Sequence, residues 1–325
     1  MSDLSQIQLP VQEELDRFKK LFDHELQSEN ALLNQVMEYV KQRQGKMMRP
    51  ILVMLIAKLL NKTVDDHTLY GALALELLHT ASLMHDDVVD ESNERRGQRS
   101  VNASFDNKLA VLSGDYVFAV CLTEIAKIKN LAVLEVVAEL GQKLTSGEIL
   151  QLSSVAEEEV DEAVYMKVIE QKTATLFAAC AKIAALSAGV SDELVDHFAL
   201  FGLYLGICFQ IKDDIFDYYS DNRIGKPTGN DMKEGKLTLP FIYAFREHGT
   251  PETAELMAKV KRGEASEEEI GTLILFARNN GGIEYANKVM SDYKEKALAL
   301  LNRFEASPIK NALQAYLDLV VGRMK

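Results

Sequence analysis

Proline is the first scarcity in this chain. Only six occur among 325 residues, at positions 10, 50, 227, 240, 251 and 308, so no ring fixes φ or removes an amide donor anywhere from Ile51 to Lys226. Alternating strand-like runs between turn dipeptides are equally rare, whereas apolar residues recur three and four apart along most of the chain. These absences exclude a sheet-rich domain, and the pattern predicts an all-α fold. Cysteine is short too: Cys121, Cys180 and Cys208 each stand alone within apolar helical pattern, which suits reduced packing residues and neither a disulfide framework nor a zinc cluster. Basic residues number 36 against 49 acidic ones, a formal net charge of -13, so no basic face is offered to phosphates and no nucleic-acid partner is expected. Met1 to Pro10 lacks the basic and apolar regions of a signal peptide, and the best unbroken apolar run, Ile51 to Leu60, is short and holds Lys58. A cytoplasmic protein without a transmembrane segment is the expectation.

What is present is apolar mass: 47% of the residues, enough to bury one large core. The spacing predicts one or two amphipathic helices over 11–44, a new helix opened by Pro50, and further helices over 65–92, 107–128, 130–153, 160–187 and 190–220. Residues 221–236, DNRIGKPTGNDMKEGK, form the longest stretch without helical periodicity; a loop of that length inside a compact domain is usually functional. Shorter helices resume from Leu237. No linker separates two halves, so residues 1–325 read as a single helical bundle around a central cavity, with the helices of 1–44 and 237–325 packed on a catalytic core.

One short motif occurs twice. Asp86, Asp87 and Asp90 stand in HDDVVDES, and Asp213, Asp214 and Asp217 in IKDDIFDYY, each at the carboxyl end of a long apolar helix. The first and last members lie four apart, on one helix face, so their charges crowd within a turn. Two such charges ~4 Å apart repel by about 4 kcal/mol at an effective dielectric near 20, and the helix dipole disfavours negative charge at this end. A single triplet could simply be solvated; two identical ones on apolar helices point to cations. Carboxylate oxygens suit Mg²⁺, which keeps open positions for a bound phosphate.

Basic residues gather beside turns: Lys46 and Arg49 next to Gly45, Arg95 and Arg96, Lys172 beside Thr173, and Lys226 and Lys236 in the 221–236 loop. Any one patch alone is ordinary solvated surface. Together they would let an acidic protein hold two diphosphates, one through metals and one directly through Arg and Lys.

With these residues in view, the chain resembles the trans-isoprenyl diphosphate synthase (polyprenyl synthetase) family, long-chain type. The motif order from Gly45 to Pro240 carries the resemblance: GKMMRP, LLHTASLMHDDVVDESNERRG, GDY, GEILQL, KTATLF, FQIKDDIFDYY and GKPTGNDMKEGKLTLP. The resemblance implies that Asp86, Asp90 and Asp213, supported by Asp87, Asp214 and Asp217, bind three Mg²⁺ ions that grip an allylic diphosphate. It also implies that Arg95, Lys172 and Lys226 contact that diphosphate, with Lys236 completing the pocket. Gly45, Lys46, Arg49, His79 and Arg96 would hold isopentenyl diphosphate, while Thr173 and Gln210 line the path between them. A homodimer is implied as well, for which the apolar run Ala110 to Ile125 offers an interface.

The implied reaction is ionisation, condensation and elimination from a geranyl, farnesyl or geranylgeranyl diphosphate primer. Small residues at Ala81 and Ser82, one turn below Asp86, leave open a tunnel where shorter-chain members place an aromatic stopper. That predicts a membrane-soluble product beyond twenty carbons, in the thirty to fifty range, suited to a respiratory quinone side chain. Other readings fit less well. A class I terpene cyclase has an Asn, Ser and Glu second metal motif by family comparison, and a noncatalytic partner subunit would not keep both triplets intact. A helical phosphohydrolase needs a dense histidine and aspartate cluster, and only six histidines occur.

Overall fold

The computed structural model describes residues 4–42, 45–61, 63–95, 97–157, 160–219 and 229–322. Arg96 and Lys226, both assigned to substrate above, lie outside them. The N-terminal helices α1 (Leu4–Gln8), α2 (Gln12–Glu25) and α3 (Ala31–Lys41) lead into α4 (Met48–Asn61), whose residues 50–57 are all buried. Pro50 sits in the first turn of α4, where its missing N–H breaks no helical bond. Next comes α5 (Asp66–Val89), started by Asp65, whose carboxylate accepts the Thr68 amide at 2.8 Å. A two-residue antiparallel hairpin, β1 (Glu94–Arg95) and β2 (Gln98–Arg99), and the short α6 (Val101–Ser104) turn the chain into α7 (Asn107–Ile128) and α8 (Leu131–Ala156). Then follow α9 (Glu162–Ile169), α10 (Thr175–Ser187) and α11 (Asp192–Asp217). The last third holds α12 (Asn230–Lys233), α13 (Leu239–His248), α14 (Pro251–Lys261), α15 (Glu267–Asn279), α16 (Gly282–Leu301) and α17 (Pro308–Gly322).

The architecture is all-α, as the periodicity predicts. Two details differ. The predicted helix over 160–187 is divided by a π-helical turn, Glu170–Ala174, and part of the predicted loop over 221–236 is the helix α12. Both changes lie in motifs, and π turns recur at functional sites because the extra residue redirects side chains.

Glycines set the closest approaches. A Cβ at Gly202 would lie 2.4 Å from the Phe177 carbonyl oxygen, and one at Gly206 would lie 2.5 Å from Ala174 Cα, so α10 and α11 meet backbone to backbone. A Cβ at Gly114 of α7 would meet the His85 ring at 2.3 Å, which fixes the turn of α5 just before Asp86. His85 Nε2 donates to the Val111 carbonyl at 3.2 Å across the same contact.

The expectation that no apolar stretch reaches membrane-spanning length needs correction, because helix formation joins runs that charges interrupt in the linear sequence. By length and composition alone, α7 and α11 are both long and apolar enough to cross a membrane. For α11 the apolarity is used in the bundle, against α10 and α16, with Phe198, Phe201, Leu205 and Ile211 essentially inaccessible. On α7 an exposed apolar row remains, including Leu112, Phe118 and Leu122.

Gly206→Val should push α11 off the π turn, at a cost of about 1 to 3 kcal/mol for overpacking. Thermal unfolding of the purified variant checks this; an unchanged melting temperature contradicts the backbone contact.

Candidate active site

The first triplet divides. Asp86 and Asp90, one helical turn apart, face cations, whereas Asp87 is buried and its Oδ1 accepts Arg95 Nε at 2.6 Å. The chain doubles back at once: the Ser92 amide donates to the Asp87 carbonyl at 2.9 Å, and Glu91 takes a left-handed φ of 49°. A side chain in that region costs about 1 to 3 kcal/mol, strain held here by the hairpin that delivers Arg95 to Asp87.

The second triplet divides likewise. Asp214 is buried; its Oδ2 accepts the Tyr165 hydroxyl at 2.6 Å and its Oδ1 accepts Gln210 Nε2 at 2.7 Å. Gln210 Oε1 in turn accepts the Thr173 hydroxyl at 2.7 Å, so a continuous chain joins the KTA motif to the second aspartates. Asp217 accepts the amides of Asn230 and Asp231 at 3.1 and 3.0 Å, which anchors α12 to the end of α11. Asp213 is half-buried at the same helix end.

Both helix ends open on common cations. Lys236, fixed by α12, lies 3.7 Å from Asp90 and borders a cavity of about 270 Å³ with Lys172, Thr173, Gln210, Asp214 and Asp231. Lys172 is the strongest charged influence on Asp86, ahead of Glu148, Arg95 and Asp90. The cations do not remove the electrostatic cost: burial pushes Asp86 up to about 6 and Asp214 up to about 7, and Asp231 well above its ordinary range. Such carboxylates fit a divalent cation, whose charge would relieve them, and their oxygens are the hard donors Mg²⁺ prefers. No three acidic, imidazole or thiol groups close into a cage among the described residues.

A second, smaller cavity of about 70 Å³ lies behind the first triplet and is lined by Gly45, Glu76, His79, Met84, Asp87 and Arg95 among others. It gathers Gly45 and His79, two of the residues expected at isopentenyl diphosphate. Lys46 is exposed next to it, and the Arg49 guanidinium lies 5.7 Å from the Phe177 ring centre with Nε buried and unbonded. Arg95 lines this second cavity. Ala81 is buried and Ser82 donates its hydroxyl to the His79 carbonyl at 2.9 Å; neither lines these two cavities.

Comparison with known proteins gives the family. The polyprenyl synthetase family pattern matches residues 30–275. The chain belongs to the polyprenyl synthetase family. Among its relatives, octaprenyl diphosphate synthase of Escherichia coli (strain K12) is 36% identical over 302 residues, 92% of each chain. The crystal structure of polyprenyl synthase from Caulobacter crescentus, complexed with calcium and isoprenyl diphosphate, superposes with a TM-score of 0.92 at 31% identity, covering 99% of this chain and 98% of that one. That of geranylgeranyl pyrophosphate synthase from Bacteroides thetaiotaomicron has a TM-score of 0.87 at 48% identity, covering 98% and 99%. The protein is a prenyltransferase, a polyprenyl diphosphate synthase.

Several members of this polyprenyl synthetase site escape sequence reading. Tyr165 lies in a plain amphipathic helix, yet its hydroxyl holds Asp214. Asp231 stands inside a quoted motif but acquires its role only when α12 swings it toward Asp214 and Asp217. Glu148 and Gln151, inside GEILQL, meet the Lys172 ammonium at 2.5 and 2.7 Å. A carboxylate and an amide one turn apart were the only available signal.

The buried acids make a pH prediction for the metal-free protein. A folded-state pKa raised above the ordinary 3.8, to about 6 for Asp86 and about 7 for Asp214, means the folded chain holds protons the unfolded chain has lost. Their contribution is full below 3.8 and is lost as pH rises through the folded values. The melting temperature of Asp214→Asn should therefore gain on wild type as pH rises from about 5 to about 7.5. Added Mg²⁺ should raise the wild-type melting temperature more at the higher pH; equal shifts at both would contradict the assignment.

Proposed function

We propose that this prenyltransferase condenses isopentenyl diphosphate with an allylic diphosphate to make a long-chain trans-polyprenyl diphosphate. The observation that supports the reading is the pairing of Lys236 with Asp90 beside a cavity that also holds Lys172 and Asp214. Asp86, Asp90 and Asp213 would hold Mg²⁺, three ions per site, with Asp87, Asp214 and Asp217 fixing the backbone and side chains around them. When bound, Mg²⁺ supplies concentrated positive charge to the diphosphate oxygens.

Lys172, Arg95 and Lys236 face the leaving diphosphate and balance charge as the allylic C–O bond breaks and its electron pair departs with oxygen. Lys226 and Arg96 enter as the family resemblance assigns them. Gly45, Lys46, Arg49 and His79 hold isopentenyl diphosphate so that its double bond supplies the new C–C bond. The proton then lost goes to the released diphosphate, and an allylic product remains for another round. The Thr173, Gln210 and Asp214 chain keeps the path between the sites ordered.

The exposed apolar row on α7, with Leu131 and Leu134 on α8, supports a homodimer; a cytoplasmic enzyme with a membrane-soluble product suited to a quinone side chain is what the resemblance suggests. A twenty-carbon product is the second reading, favoured by the 48% identity to the geranylgeranyl pyrophosphate synthase structure. The long-chain reading rests on Ala81 and Ser82, small residues that stand where the resemblance places an aromatic stopper in shorter-chain members.

Purified protein given isopentenyl diphosphate, each allylic primer and Mg²⁺ should lose orders of magnitude in turnover on Asp86→Ala or Asp213→Ala while keeping its fold by circular dichroism. Near wild-type rates in either variant would remove the assigned role. Chromatography of the products should show chains of thirty to fifty carbons, shortened by Ala81→Phe. A wild-type product stopping at twenty carbons favours the second reading, and a profile unmoved by Ala81→Phe counts against the tunnel.

A further inference from the structure

Glu148, like Asp231, is an acidic residue beside the site that neither triplet accounts for. Gly147 brings it there: a Cβ at that position would lie 2.8 Å from Gln171 Cβ and 2.9 Å from the Lys172 amide nitrogen, so only glycine lets α8 press onto the π turn. The π turn in its place directs Lys172 and Thr173 toward the cavity. Glu148 Oε2 then stands 2.5 Å from Lys172 Nζ, and Gln151, one turn further along α8, accepts the same ammonium at 2.7 Å. The Glu148 charge also bears on Asp86 and on Lys236.

Lys172 therefore has two acidic neighbours. One is Glu148, in direct contact; the other is Asp86, on which Lys172 is the strongest charged influence. An ammonium on a flexible stem pairs with the best carboxylate in reach. Without the Glu148 charge, that carboxylate is Asp86, and an ion pair there would take an oxygen from a divalent cation.

We infer that Glu148 is a positioning residue that keeps Lys172 off Asp86, so that the aspartate stays open to the metal. The inference rests on the reading of Asp86 as a metal ligand. It makes metal and anion binding respond in opposite directions, which a merely structural role would not. Neutralising Glu148 leaves the site one charge more positive, so an anion alone binds as well or better while the cation binds worse.

The test uses Mn²⁺, a hard-ligand substitute for Mg²⁺ read by water proton relaxation with no diphosphate present, and inorganic pyrophosphate alone, read by calorimetry. Circular dichroism melting confirms that each variant folds. Glu148→Gln should weaken Mn²⁺ about tenfold and leave pyrophosphate binding equal or tighter. The double variant Glu148→Gln with Lys172→Gln should return Mn²⁺ binding to within about twofold of wild type, since no lysine remains to cover Asp86. Unchanged Mn²⁺ binding in the single variant overturns the proposal. So does a double variant as weak as the single one, the result expected if Glu148 were itself a ligand. Asp86→Ala separates the two levels of the argument: undiminished Mn²⁺ binding in that variant sinks the metal reading and this proposal with it, whereas loss there with no effect at Glu148 sinks the proposal alone.

Discussion

Carboxylates held at the ends of two apolar helices, where burial resists their charge, are the constraint on which the rest of the site depends. For the proposed reaction a protein with an excess of acidic residues would bind diphosphate by placing its least comfortable anions beside a few fixed cations. Neither Lys172 nor Arg95 brings Asp86 back to an ordinary carboxylate, and burial holds Asp214 and Asp231 high as well. The fold is thus stabilised by whatever positive charge enters the cavity, which couples metal binding to the order of the site.

The fold meets this constraint by dividing labour within each triplet. One aspartate is turned inward to organise backbone: Asp87 holds Arg95 and the hairpin, and Asp214 joins Tyr165 to the KTA turn through Gln210. Asp217 ties down α12, and α12 in turn sets Lys236 opposite Asp90. Close helix contacts at Gly114, Gly147 and Gly206 supply the rigidity: Gly147 and Gly206 let a motif approach its partner at backbone distance, and Gly114 makes room for the His85 ring.

Much of this was legible in the sequence. The four-residue spacing of Asp86 and Asp90 is a statement about a helix face, and the apolar periodicity around it fixes the all-α class and the extents of α5, α7, α8 and α11 to within a few residues. Arg95, Lys172, Thr173, Gln210 and Lys236 were found because they lie in motifs with a recognisable order. What could not be read is tertiary. A π turn keeps the apolar content of the α-helix it interrupts, so periodicity runs through Glu170–Ala174 unbroken. Tyr165 looks like an ordinary helix residue and Asp231 like an ordinary loop residue until the bundle brings them to Asp214, and Glu148 looks solvated until α8 closes on Lys172. The apolarity of α7 was hidden by the charges that interrupt its linear run.

The central claim is that both aspartate helix ends bind divalent ions around one shared diphosphate. Anomalous diffraction from crystals soaked with Mn²⁺ and inorganic pyrophosphate tests it directly. The account predicts manganese peaks beside Asp86 and Asp90 and beside Asp213, bridged by a single pyrophosphate that Lys172 and Lys236 also touch. Manganese confined to one helix end, or two sets of peaks in separate cavities with no common anion, would contradict it.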